Sequence, residues 1–253
     1  MMSIYKKLGL SFVLVGALGV SANADMCMAD RGYCINLYIG GGGFYENISG
    51  DGANINNTLG FVSLGGSDVY FDRLQFAIDA KFGYGSNSVG GTKLSSISKD
   101  NDIFQLDAIG KIGVNVAGKN SPLFINLIMG YDIMRSRNGV GRDLMMIGGG
   151  LDGKIALSEK TNITYSAGYA YAFSGSYYFG RTYTKADEFG HIIMFSLGAQ
   201  TKVSENVSLY IKGLGKYYDL NASEVVNPKG NGSSISMPKS NGWQAGLEAG
   251  IAF

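Results

Sequence analysis

Residues 242–253, GWQAGLEAGIAF, alternate with a period of two. Trp243, Ala245, Leu247, Ala249, Ile251 and Phe253 fall on one side of an extended chain, and Gln244, Gly246, Glu248 and Gly250 on the other. Successive side chains of a strand point to opposite faces of a sheet, so this stretch is a strand with one greasy face and one polar face.

The same pattern recurs upstream. Over 74–84, Leu74, Phe76, Ile78, Ala80, Phe82 and Tyr84 oppose Gln75, Asp79, Lys81 and Gly83. Stretches 104–116, 161–173 and 207–212 repeat the alternation. It predicts strands near 241–253, 205–218, 190–202, 161–174, 144–157, 122–134, 102–116 and 70–85, with less regular ones near 34–45 and 57–65. Connections 117–121, 158–160 and 203–204 are tight, whereas 86–101, 175–189 and 219–240 are long and rich in Gly, Ser, Asn and Lys. Pro122, Pro228 and Pro238 all fall in connections or at a strand start, where no ladder hydrogen bond is lost.

A soluble β-sandwich also alternates, with its apolar face as the core. Strand length separates the two architectures. Soluble strands average about 5 to 6 residues, and those predicted here run to about 12 to 15, which at ~3.3 Å per residue and a tilt near 40° covers a ~25 Å apolar band. The second discriminator is the opposite face, where Gly, Ser and Asn mix with Arg73, Lys81, Lys111, Lys154, Lys212, Lys216, Asp79, Asp107, Asp132, Asp152 and Glu248. A narrow barrel interior needs small residues, and its charges need partners or water, so these eleven residues are expected to form a network of ion pairs in the lumen.

In hydrocarbon every backbone donor and acceptor must be paired within the protein, so a sheet persists there only if it closes on itself. The expected fold is an all-β, closed, antiparallel, up-and-down transmembrane barrel of ten strands, with eight as the alternative. Tyr84, Phe104, Tyr131, Tyr171, Phe173 and Trp243 would ring one rim, and Tyr70 and Phe253 the other.

On these features the chain resembles the small outer-membrane β-barrel proteins of Gram-negative bacteria, the OmpA/OmpX-like class in the broad sense. The most specific element is the final strand, Trp243-x-Ala245-x-Leu247-x-Ala249-x-Ile251-x-Phe253. The resemblance implies that Trp243, Leu247, Ile251 and Phe253 are read by the barrel-assembly machinery, that outer-membrane lipids surround the barrel, and that the protein is a monomer. The Cys27/Cys34 pair departs from that pattern and leaves the subfamily open.

The first residues agree with export. Lys6 and Lys7 precede an apolar stretch from Leu8 to Val20, and Ala22-Asn23-Ala24 supplies small residues for cleavage after Ala24. As a membrane-spanning helix that stretch falls short of the ~20 residues required. The expected organisation is a signal peptide at 1–24, an N-terminal segment at 25–33 and a barrel at 34–253. Cleavage takes two of 21 basic residues and none of the 20 acidic ones, leaving a near-neutral chain that lacks the basic footprint of a nucleic-acid binder. Cys27 and Cys34 would meet an oxidising periplasm, where a short-loop disulfide is expected. The residues before Cys27 are not a lipobox, and two Cys with one distant His cannot furnish four zinc ligands. No cofactor is expected.

Candidate chemistry is sparse. The one histidine, His191, lies near Asp187, Glu188 and Ser196, but alternation places it on the face of Ile193 and Phe195, away from Ser196. Glycine runs at 40–43 and 148–150 lack the strand-to-helix setting of a phosphate cradle. Tyr177, Tyr178, Phe179, Arg181 and Tyr183 concentrate contact-type side chains in one long loop, and either reach out to a ligand or pack over the barrel mouth. Asp219 to Ser223, DLNAS, matches the acidic bacterial glycosylation sequon with Asn221 as acceptor. The expected function is that of a non-enzymatic outer-membrane barrel with a structural or surface-loop role in adhesion or host contact. The alternatives are a narrow pore for ions or small solutes and, third, a rim-located hydrolase.

Overall fold

The computed structural model describes residues 26–28, 33–118, 121–185, 190–227 and 234–253, with side chains from 36 onward. The expected signal peptide at 1–24 lies outside the described residues. The strands are β1 (Met26–Met28), β2 (Tyr33–Gly50), β3 (Ala53–Tyr70), β4 (Leu74–Gly90), β5 (Asp100–Asn115), β6 (Leu123–Ser136), β7 (Val140–Ala156), β8 (Thr161–Phe179), β9 (Thr182–Lys185), β10 (Gly190–Ser204), β11 (Val207–Leu220) and β12 (Ser240–Ala252), with one 3-10 turn at Thr92–Leu94. All pairings are antiparallel between neighbours, and β2 pairs with β3 on one side and β12 on the other, which closes a ten-stranded barrel. β9 lies on β8 outside that circuit. β1 lies on the edge of β2 just below the point where β12 ends, so it covers backbone that the last strand leaves open.

Both ends of the circuit, Tyr33 and Phe253, sit at the end that carries the turns 71–73, 116–122, 157–160 and 205–206. This is called the inner end below, and outer-membrane barrels direct such an end to the periplasm. The longer connections, 91–99 and 221–239, rise from the outer end.

The exterior is a continuous apolar band. Ile78, Leu197 and Leu247 are each more than 60% exposed, an arrangement that water would penalise and hydrocarbon favours. At its outer edge Tyr84 pairs with Phe104, Tyr217 pairs with Trp243, and the Trp243 ring packs at a tilt against Tyr45 with centroids 5.3 Å apart. Tyr131, Tyr171 and Phe173 are exposed on the same face.

Two expectations about the strands are corrected. Residues 46–56 are not a long connection: β2 and β3 continue to a two-residue Asp51-Gly52 turn, where Gly52 adopts φ 73 as such hairpins require. Strands β7 and β8 likewise run several residues further out than predicted. In each case alternation persists but its polarity inverts. Asn47, Ser49, Asn54 and Asn56 face outward there, while Ile48, Ala53 and Ile55 are buried inside. A search for outward apolar residues stops where the membrane stops.

The second correction concerns Arg73. β4 begins at Leu74 rather than 70, and Phe71 and Asp72 take positive φ of 53 and 58 to make a tight turn closed by Arg73 N donating to Tyr70 O at 3.0 Å. Arg73 is therefore an exposed residue of an inner-end turn and does not enter the lumen.

Candidate functional site: the lumen and its cap

The interior is organised in three levels. At the outer end Ile48, Ile55, Val89, Leu144, Tyr177, Ile192, Tyr218 and Leu220 point inward and pack with Leu94 from the loop after β4 and Ile235 and Met237 from the loop before β12. That loop is held in a hairpin by Val226 and Ile235, which exchange backbone hydrogen bonds of 2.9 and 2.8 Å. The result is a dry hydrophobic cap across the barrel mouth.

Beneath the cap lies a buried charge layer. Arg142 on β7 crosses to Glu46 on β2 through two hydrogen bonds of 2.9 and 2.7 Å and stands 3.5 Å from Asp132. Lys216 bridges Asp107 at 2.7 Å and Asp132 at 3.5 Å. The Tyr218 hydroxyl is 3.1 Å from both Asp132 and Gln244, and Asn57 donates to Glu46 at 2.7 Å. Glu46 and Asp132 are fully buried, so every member depends on its partners for the solvation it has lost.

Toward the inner end several of the charged groups, Lys111, Asp79, Asp152 and Lys212, are partly exposed, while Glu248 stays buried. Lys111 binds Asp152 at 2.9 Å and reaches Asp79 at 3.9 Å, while Asn126 donates to Asp152 at 3.0 Å. Lys212, Tyr210 and Ser63 converge on Glu248, each at 2.9 Å. Lys81 faces the lumen with no ion-pair partner among the described residues. Lys154 lines the inner mouth. A cavity of about 280 Å³ occupies this half, bounded above by Asp107, Lys216 and Gln244. A second cavity of about 230 Å³ lies at the inner mouth and shares Lys154 with the first.

Ten of the eleven residues expected in the lumen are thus inside, all but Arg73, and nine of them take part in an ion pair or other contact. Sequence reasoning missed Glu46 and Arg142, which anchor the layer. Both fall just outside the predicted strands, which end at 45 and begin at 144. The available signal was the period of two in Phe44, Glu46, Ile48 and in Val140, Arg142, Leu144, all of which face inward.

The loop set divides. Tyr177 and Phe179 are buried in the cap, and the Tyr177 hydroxyl donates to Asn221 O at 3.1 Å. Tyr178 donates to Asp143 at 3.0 Å, lies under the Arg135 guanidinium and stacks on Tyr183. Tyr183 and Arg181 are exposed. The sequon around Asn221 is folded into the same region, with Ser223 buried and its Oγ accepting from Met237 N at 2.8 Å.

His191 and Ser196 face opposite sides of the sheet. His191 points outward, its Nδ1 2.6 Å from the Tyr169 hydroxyl, whereas Ser196 points inward to Ser166 at 2.7 Å. Asp187 and Glu188 lie outside the described residues. Among the described residues no group of three metal-ligating side chains comes together. In the final strand Trp243, Leu247 and Ile251 face outward, and Phe253 exchanges two backbone hydrogen bonds with Leu37. The β1–β2 register sets Cys27 directly opposite Cys34. Their side chains are outside the described set.

No family model and no curated protein sequence matches the chain. Solved structures do. The outer-membrane protease OmpT of Escherichia coli is 11% identical, over 87% of this chain and 96% of that one, with a TM-score of 0.58. The COG4313 outer-membrane channel of Pseudomonas putida F1 is 12% identical over 92% and 98% of the two chains, with a TM-score of 0.40. The translocator domain of the autotransporter NalP from Neisseria meningitidis is 12% identical over 98% and 95%, with a TM-score of 0.36. At such identities the likeness to the protease is one of fold and carries no chemistry across. Ten antiparallel strands closed in sequence order, greasy outside and polar within, give this chain the all-β fold of the small outer-membrane β-barrels.

Proposed function

We propose that this protein is a closed surface barrel of the bacterial outer membrane, non-enzymatic, whose work is done by its outer loops in adhesion or host contact. In this account it is exported through a cleaved signal peptide, inserted by the assembly machinery through its last strand, and held as a monomer in outer-membrane lipid. The observation that carries the proposal is the cap. Seventeen buried apolar residues fill the outer mouth above a fully buried Arg142–Glu46 bridge, which argues against a passive pore for ions or solutes. Of the five contact candidates, Arg181 and Tyr183 are the exposed ones and are the groups assigned to contact. The outward direction of His191 argues against a rim-located hydrolase.

Planar-bilayer recording tests the proposal. The intact barrel is expected to give no reproducible single-channel steps, and regular steps from it would instead favour the pore. For the outer-loop role, Arg181→Ala combined with Tyr183→Ala should reduce binding of whole cells to host surfaces while leaving heat-modifiable gel mobility intact.

A further inference from the structure

We propose that the hollow inner half of the lumen is a binding site for a small organic oxyanion with an apolar body, a carboxylate above all, admitted from the inner end. The cavity, about 280 Å³, lies just below the usual range for ligand pockets and suits one small ligand. Its wall is unlike that of a water channel. Phe44, Phe61 and Leu214 supply apolar surface, and five lysines face three aspartates around the lining.

Lys81 is the focus of the site. Asp107 stands directly opposite it in the β4–β5 register, yet that carboxylate is held by Lys216 at 2.7 Å. Asp79, on the same face of β4, leans to Lys111. Among the described residues the Lys81 ammonium thus faces the cavity with both neighbouring carboxylates committed to other lysines, which leaves it open to an incoming anion. Gln75, more than nine-tenths buried with an unpartnered side-chain oxygen, lines the inner part of the same cavity about 20 Å along β4 from Lys81 and keeps the path to the inner mouth polar. A ligand with its oxyanion on Lys81 and its apolar body against Phe44 and Phe61, which lie outward of Lys81 in the strand register, satisfies both features. The cap closes the outer side, and the second cavity adjoining at Lys154 leads to the inner mouth.

Fluorine NMR on the detergent-solubilised barrel, with para-fluorobenzoate as probe, tests this. The expected result is saturable broadening that Lys81→Met weakens by about tenfold or more, the scale of a hydrogen bond to a charged group, and that Lys81→Arg retains. Leu214→Trp, which fills the cavity without touching Lys81, should abolish it. Lys93→Met, on an exposed outer loop, should leave it unchanged. Heat-modifiable mobility checks each variant's fold, and if Lys81→Met does not fold, the Leu214→Trp and Lys81→Arg pair decides. Equal response from para-fluorobenzyl alcohol or para-fluorobenzylammonium would overturn the proposal, as would broadening indifferent to Lys81→Met and Leu214→Trp.

Discussion

The outer and inner halves of this barrel share the same ten strands and are filled by opposite rules. Above Asp132 the inward positions are Ile48, Ile55, Leu144, Tyr177 and Ile192, packed like the core of a soluble protein, while the outward ones are Asn47, Asn54 and Asn56. Below it the inward positions are Lys81, Lys111, Asp152 and Lys212 around a cavity, while the outward ones are Ile78, Ile112, Leu197 and Leu247. The surroundings make the difference. Where lipid surrounds the sheet, apolar side chains belong outside and polar ones inside, and where water surrounds it the same sheet must turn its apolar side chains inward. The Arg142–Glu46–Asp132–Lys216 layer lies between the two regimes.

The largest expected effect is at that boundary. Arg142→Met leaves Glu46 buried without its counter-charge and Asp132 with Lys216 alone, and should cost about 3 to 5 kcal/mol, measured by urea unfolding in lipid bilayers with the fluorescence of Trp243, the single tryptophan. Lys111→Met, the matching change in the inner half, should cost only about 1 kcal/mol because its partners are partly hydrated. Equal losses would mean that the two charge layers are alike, and the contrast between halves would fail.

Removing one side chain from the cap asks whether it is a packed core. Met237→Ala should destabilise by about 3 kcal/mol if the loop before β12 is integral to the outer half; a change near zero would make that loop a loose cover. Tyr218→Phe sharpens the same point, since it deletes one hydroxyl from the buried layer and keeps the ring in the cap. The expected cost is about 1 to 3 kcal/mol, read from the same unfolding curves. The smallest effect on the barrel should come from Cys27→Ser, because β1 pairs only with the edge of β2. Mass spectrometry of the unreduced mature protein should find Cys27 joined to Cys34, and two free thiols would remove the disulfide.

Legibility in the sequence followed the same division. The lipid-facing faces of β4, β5, β8, β11 and β12 could be read directly, because outward residues at every second position are apolar over whole membrane-crossing lengths. Lys81, Asp107, Lys111, Asp152, Lys212, Lys216 and Glu248 followed from simple opposition to that face. Glu46 and Arg142 did not, since the rule that found the others reverses at the height where they sit. Arg73 was misplaced for a local reason: a tight turn with two non-glycine residues at positive φ has no strong composition signal. Tyr177 and Tyr178 are adjacent in sequence and of one type, yet one is buried in the cap and the other bonded to Asp143 on the outer face.

What the sequence by itself determined is the membrane-spanning sheet and the polarity of its two faces within the lipid, because each follows from periodicity along one strand at a time; that ten strands rather than eight close the barrel came from the pairing of β2 with β3 and β12. Only the tertiary structure decided that packed side chains fill the outer end, that Arg142 meets Glu46 across the lumen, and that Lys81 faces a cavity with no ion-pair partner among the described residues. Those depend on which side chains from distant strands arrive at the same height, and that is set by the stagger of strands around a closed barrel rather than by any pattern within one of them.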